Sequence, residues 1–205
     1  MGVLPRHRPS LKAQNVSIKR MTTERHIKLG RKTALITFLF GTSIFALYFL
    51  TSLFELLFIF YGFIALIGLI NFGILISILF KANNDKVNRK KLLTTCGLML
   101  INIPVMIFYC CAVIILLNIM RITFTNSTNT TLTNIKIEGC SEETIEKLES
   151  KESKTIWIDI NGDCSINIEY LSNGQKKAEN VAGYITNNMG QKMKYNIGGI
   201  NEEKF

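Results

Sequence analysis

The sequence predicts a membrane α-helical protein. Three transmembrane helices are followed by a small, mainly-β C-terminal domain, a sandwich or meander with one short helix. Three observations lead there. The stretch Thr33–Phe80 carries a single charge, Glu55. A second apolar stretch, Leu92–Ile119, carries none. Beyond residue 120 the composition turns polar, and alternating apolar runs are separated by Asn-Gly pairs.

Residues 1–32 read as a basic cytoplasmic arm, mostly disordered, because they show no apolar period and hold nine Lys and Arg against Glu24 alone. Met21 is an alternative start. Arg6 stands where a myristoylation signal after Met1-Gly2 needs Ser or Thr. The apolar region that follows is too long for a cleavable signal peptide and lacks a small-residue cleavage site, so the first helix is expected to stay as an anchor.

Residues 33–80 form a transmembrane helical hairpin. A straight helix of that length would run about 72 Å, whereas about 20 apolar residues cross a bilayer core of ~30 Å. Helix one is expected over Thr33–Leu53 and helix two over Leu56–Phe80, with the turn between Phe54 and Gly62. Aromatic residues crowd that turn as in a headgroup belt. Glu55 there reads as a wetted carboxylate rather than an intramembrane proton or cation site, since no basic partner is in sight. Gly62, Ala65, Gly68 and Gly73 give helix two a small-residue side without a strict G-x-x-x-G. Asn71 is a candidate for an intramembrane polar contact.

Residues 81–91 form a basic cytoplasmic loop with five cations against Asp85. Residues 92–120 form the third span, longer than a crossing needs, with Pro104 as its kink point. Asn102 and Asn118 are further candidates for intramembrane polar contacts. Cys96, Cys110 and Cys111 read as small apolar residues, because the chain has no C-x-x-C.

The net charge of +9 therefore belongs to two short segments beside the spans, while residues 121–205 hold ten basic and twelve acidic residues. Lys and Arg beside spans stay in the cytoplasm, which places the arm and loop inside and the tail outside. The expected location is the plasma (inner) membrane, multi-pass. No nucleic-acid partner is expected, since the basic pI has this topological source.

Residues 121–205 read as an extracytoplasmic β-rich domain. Strands are expected at 122–125, 133–137, 154–160, 164–171, 178–186 and 191–197, the last closing the meander. Ser141–Leu148 reads as a short helix, with an N-cap serine and acidic residues in its first turn. Asn161-Gly162 and Asn173-Gly174 read as hairpin turns. Ile166, Ile168 and Tyr170 should point inward. Asn126 and Asn129 open glycosylation-type sequons close to the membrane.

Little chemistry is in view. Asp159–Asp163 departs from the EF-hand pattern and lacks its last glutamate, so a hairpin turn accounts for it. His7 and His26, the only histidines, both lie in the arm, which leaves the tail without an imidazole for a metal site or a Ser-His triad. The chain has no G-x-x-x-x-G-K-[ST]. No catalytic, cofactor or metal residues are assigned, and no enzyme is expected. Cys140 and Cys164 are a candidate disulfide worth about 3 kcal/mol. Trp157, on the face opposite Ile156, Ile158 and Ile160, either covers a second core layer or anchors a partner.

The expectation is a non-catalytic integral membrane protein. Its exported β-domain would bind a partner or serve as an accessory subunit of a cell-envelope complex. Its partners would be the lipid bilayer and other membrane or envelope proteins. The alternative is a channel-like or membrane-perturbing oligomer with the soluble domain as sensor. A membrane redox enzyme using the cysteines is the least supported reading.

Overall fold

Thr23, Ile27, Gly30, Ala34, Thr37, Gly41, Ile44 and Tyr48 recur every three or four residues, and that face is the packed side of the first helix. The computed structural model describes residues 11–201, with side chains from Met21 onward. Helix α1 spans Leu11–Thr51. The arm expected to be disordered is therefore helical from Leu11; residues 1–10 lie outside the described part. The packed face continues N-terminal of the apolar stretch through Thr23, Ile27 and Gly30, small or mixed residues that a hydropathy pattern passes over.

Helix α2 spans Glu55–Asn84, α3 Arg89–Leu100 and α4 Asn102–Leu117. Three helices are long and apolar enough to cross a membrane: Met21–Thr51, Glu55–Asn84 and Arg89–Leu117, the last counting α3 and α4 together. The break at Ile101 lies three residues before Pro104, whose missing N–H cannot bond the carbonyl of residue 100. The turn between α1 and α2 comes earlier than expected, at Ser52–Phe54. Ser52 takes a left-handed φ of 55° and its N–H closes on the Tyr48 carbonyl at 2.8 Å. Glu55 is then exposed in the first turn of α2, where a carboxylate is favoured.

The chain divides into two compact units. Among the described residues, one comprises 11–46 with Phe54–Phe108; the other comprises Leu47–Leu53 with 109–201. In the first unit, the expected loop 81–91 shrinks to Asp85–Asn88, because α2 continues to Asn84 and α3 starts at Arg89. Asp85 is 4% exposed and holds the corner. Its carboxylate accepts from Thr23 Oγ1 at 2.8 Å and from Asn88 Nδ2 at 3.1 Å. Lys81 Nζ reaches Thr22 Oγ1 at 3.2 Å, so residues 22–23 of α1 and the α2–α3 corner lie together. At Gly30 neighbouring side chains close onto the α1 backbone. A Cβ there would stand 2.6 Å from Ile78 Cδ1 and 2.7 Å from Thr95 Cγ2.

In the second unit seven strands form two sheets. They are β1 (Ile119–Asn126), β2 (Leu132–Gly139), β3 (Glu143–Leu148), β4 (Ser153–Asp159), β5 (Cys164–Ser172), β6 (Gln175–Ile185) and β7 (Lys192–Ile197). The sheet orders are β4-β1-β7 and β3-β2-β5-β6. Their inner faces meet in one core that includes Ile122, Phe124, Ile135, Ile158, Ile166, Ile168 and Tyr170.

Three expectations are corrected here. Residues 143–148 form strand β3, not a helix. Ile145 and Leu148 are both fully buried, and their spacing of three suits a helix face in isolation; pairing of Ile145 with Ile135 and of Leu148 with Leu132 extends them instead. Asn161-Gly162 does not close a hairpin: β4 pairs with β1 and β5 with β2 and β6, so the chain changes sheets there. Finally, β7 runs parallel to β1 rather than closing an antiparallel meander, from Arg121↔Lys192 to Asn126↔Ile197. Asn173-Gly174 is a true two-residue hairpin, with φ of 52° and 75° and Ser172 opposite Gln175.

Glu179 fastens one sheet to the other. Its carboxylate accepts from Tyr170 Oη on β5, from Tyr195 Oη on β7 at 2.9 Å and from the Gly198 N–H at 3.0 Å. Burial, then the hydrogen bond to Glu179 and its charge, raise both phenols above their ordinary value. Glu179→Ala strands the buried Tyr170 hydroxyl and leaves Tyr195 Oη only its longer bond to the Asn180 carbonyl at 3.3 Å, and is expected to destabilise this unit by about 1–3 kcal/mol, read as a fall in the thermal unfolding midpoint of the detergent-solubilised protein. The raised phenol values set the pH window. Their stabilisation is present in full below the ordinary tyrosine value of about 10 and is lost as pH rises beyond it. Unfolding midpoints should therefore drop on the alkaline side of pH 10, and by less in Glu179→Ala.

Candidate functional site

Arg121 is the only charged residue between Lys91 and Lys136, and it is 3% exposed. It lies on β1, the central strand of its sheet, two residues past the start of the strand. A buried guanidinium needs acceptors. Arg121 takes them from the last turn of α1: Nη1 donates to the Phe49 carbonyl and Nη2 to Ser52 Oγ. Four carbonyls at a helix C-terminus lack intrahelical partners and carry the negative end of the dipole, so a cation is suited to this place. The guanidinium carbon also stands 5.0 Å from the Phe49 ring centre and 5.8 Å from that of Trp157. Those two rings are 6.3 Å apart. Nε has no acceptor among the described residues. Burial pushes the guanidinium below its ordinary value, and the nearby Tyr48 opposes that shift.

Trp157 is therefore not a buried core layer, and one side of its ring borders the Arg121 guanidinium. Its register partner on β1 is Arg121, and it remains 48% exposed at the rim of the cation cluster. Lys192 Nζ adds a longer contact to the Leu50 carbonyl at 3.4 Å, so β7 also reaches the end of α1.

The joint between α4 and β1 is held just as closely. Asn118 lies in this turn and not within a span. Its Nδ2 donates to the Ile114 carbonyl at 2.9 Å and its Oδ1 accepts the Asn188 N–H at 3.3 Å. The Gly190 N–H donates to the Leu117 carbonyl at 2.7 Å. A Cβ on Gly190 would come within 2.5 Å of the Leu116 carbonyl oxygen, which explains a glycine there.

Of the intramembrane candidates, Asn102 bridges two helices: Nδ2 donates to Thr37 Oγ1 at 2.8 Å and to the Ala34 carbonyl at 3.0 Å. Asn71 instead donates to the Ile67 carbonyl of its own helix at 3.0 Å, and its Oδ1 has no partner among the described residues. Cys140 and Cys164 are joined in a disulfide with Cα atoms 5.1 Å apart. Cys96 is buried in the helical core with Ile78, Leu92 and Met99, while Cys110 and Cys111 carry free thiols. Asn126 is fully buried, donating to the Thr130 and Leu148 carbonyls, so in the folded domain only the exposed Asn129 offers a reachable sequon. Among the described residues no group of three His, Cys, Asp or Glu is placed to hold a metal.

Comparison with known protein families, curated proteins and solved structures finds no match.

The arrangement can hold residues 47–53 to a β-sheet; among the described residues of this cluster there is no nucleophile beside a base. Sequence reasoning passed over Arg121, Phe49 and Ser52. The available signal was a lone arginine in the apolar run IMRITF just after the last span. Arg121→Met keeps the bulk but removes both donors. Hydrogen exchange at Tyr48–Leu53 should then speed up by at least about tenfold, equivalent to the 1.5–3 kcal/mol of a charged hydrogen bond. The Cys140→Ser, Cys164→Ser double variant should lose about 3 kcal/mol of domain stability, read by denaturant titration against the oxidised protein.

Proposed function

We propose that this is a multi-pass membrane protein whose β-domain is exported and acts as a non-catalytic partner-binding or accessory module in a cell-envelope complex. The observation that carries the reading is the separation of chemistry along the chain. Lys81 and the Asp85 corner meet Thr22 and Thr23 of α1, so the basic residues near both lie at one end of the apolar helices. The chain that leaves this corner as α3 has one apolar helical stretch long enough to cross before the disulfide-linked domain begins. Lys and Arg beside spans favour the cytoplasmic side, and disulfides persist outside it.

Polar side chains within the spans fit an apolar solvent. Thr42, Ser43 and Thr51 each return their hydroxyl to the carbonyl four residues back, and Asn71 does the same with its amide. The outer helix surface is rich in exposed Leu, Ile and Phe, which lipid would cover. Tyr184 and Trp157 are the large exposed rings of the domain and the natural partner contacts.

A second reading, a channel-like or membrane-perturbing oligomer, draws on α2. Gly62, Gly68 and Gly73 meet nothing within 4 Å there, so a second helix could approach.

A C-terminal reporter active only outside the cytoplasm is expected to work, with Cys140 and Cys164 resisting alkylation until reduced. A reporter active only inside, with both thiols free, would overturn the topology. Photo-crosslinkers at Tyr184 and Trp157 in intact cells should give discrete adducts with a different membrane or envelope protein. Adducts with a second copy alone, together with ion flux in reconstituted vesicles, would favour the oligomer.

A further inference from the structure

We propose that the groove between residues 24–35 of α1, near the beginning of its apolar span Met21–Thr51, and the start of α3 is a binding site for the headgroup of an anionic phospholipid. The groove has a volume of about 730 Å³ and lies wholly within the helical unit. Lys28, Arg31 and Lys32 of α1 line it together with Lys91 of α3. Glu24 is the one carboxylate on its wall, so the groove keeps a net charge of +3. The other lining residues, Ile27 and Leu35, are apolar.

Spacing builds this wall. Glu24, Lys28, Arg31 and Leu35 follow one another at intervals of four, three and four, which stacks them along one face of α1. Lys28, Arg31, Lys32 and Lys91 are all exposed, so their charges are available to a ligand.

The mixture of surfaces selects the ligand class. A phosphodiester suits a forked Arg31 flanked by ammonium groups. A fully soluble anion would have no use for Ile27 and Leu35. A molecule with an anionic head and an acyl chain matches both. Leu35 also belongs to the apolar stretch that opens at Thr33, so the groove runs from the basic segment into the hydrocarbon-facing part of the helix. Basic pockets between helix ends on the cytoplasmic side take anionic headgroups in this way. The ordinary alternative is a diffuse positive field in which every juxtamembrane cation counts equally. The groove assigns the effect to particular side chains.

The inference rests on the membrane embedding proposed above, not on the exported partner. The test uses the full-length protein in mild detergent and native mass spectrometry, with phosphatidylglycerol and phosphatidylcholine added separately. Two variants remove the same charges. K28Q/R31Q/K91Q empties the groove, and K86Q/R89Q/K90Q neutralises neighbours that do not line it. Wild type is expected to retain phosphatidylglycerol over phosphatidylcholine, and millimolar inorganic phosphate should not displace it. The groove variant should lose this retention by about tenfold or more, and the neighbouring variant by less than twofold.

Equal losses in the two variants would overturn the site in favour of a diffuse field. Equal retention of both lipids, or displacement by inorganic phosphate, would overturn the headgroup assignment. Should the groove variant not stay monodisperse, a photoreactive phosphatidylglycerol on wild type decides. Labelling centred on residues 27–35 and 91 supports the site, and labelling spread over the helices overturns it. A protein that stays soluble and monodisperse without detergent would fail the embedding itself, a result distinct from detergent-dependent protein that does not discriminate between lipids.

Discussion

The buried guanidinium of Arg121 is the constraint around which the second unit is arranged. A cation with 3% exposure has to be met by acceptors, and the ones it finds are the unpaired carbonyl end and the Ser52 hydroxyl of the α1–α2 turn. Meeting them requires β1 to pass beside residues 47–53. Since β1 is central in its sheet, with β4 and β7 on either side, that one strand sets where both neighbours lie. Trp157 on β4 and Lys192 on β7 then reach the same helix end. The residue left-handed at Ser52 follows too: it turns the chain sharply enough to offer a carbonyl and a hydroxyl together.

A second constraint governs the helices. Few of their residues are polar, and those that are must satisfy themselves locally. Most bond the preceding turn of their own helix. Thr37 and Asn102 instead bond across helices, beside the break that Pro104 brings to the third span. Small residues make room elsewhere, with Gly30 letting Ile78, Thr95 and Met99 close onto the α1 backbone. Helix association thus rests on close packing plus a few interhelical hydrogen bonds, from Asn102 to Thr37 and Ala34, Thr23 to Asp85 and Lys81 to Thr22, the pattern expected where apolar burial alone gives little drive.

Much of the fold was legible in the residues. Apolar length marked the three long helices, and alternation marked six of the seven strands, down to the inward placement of Ile166, Ile168 and Tyr170. Legibility failed where local pattern and long-range pairing disagree. Ile145 and Leu148 have a helical spacing and sit in a strand; Asn161-Gly162 has hairpin chemistry and joins two sheets. The helical run through the basic arm was missed because its packed face is made of Thr, Ile and Gly in the midst of charge. The Arg121 cluster was missed because its four members come from three segments far apart in the chain, Phe49 with Ser52, Arg121 and Trp157, and each has a bland role alone.

What the sequence by itself determined is the partition of the chain: a long apolar hairpin, a third apolar span with a proline break, basic segments at their shared end and an alternating tail with two cysteines. Composition and period carry that information, because an apolar run long enough to cross a membrane and the pleating of a strand are both properties of neighbouring residues. Only the tertiary structure decided that β7 runs parallel to β1, that β3 replaces a helix, that Cys140 and Cys164 meet, and that Arg121 caps α1. Each of those depends on which distant segment supplies the missing hydrogen-bond partner, and a backbone donor, a thiol or a buried cation accepts whichever partner the fold brings within about 3 Å.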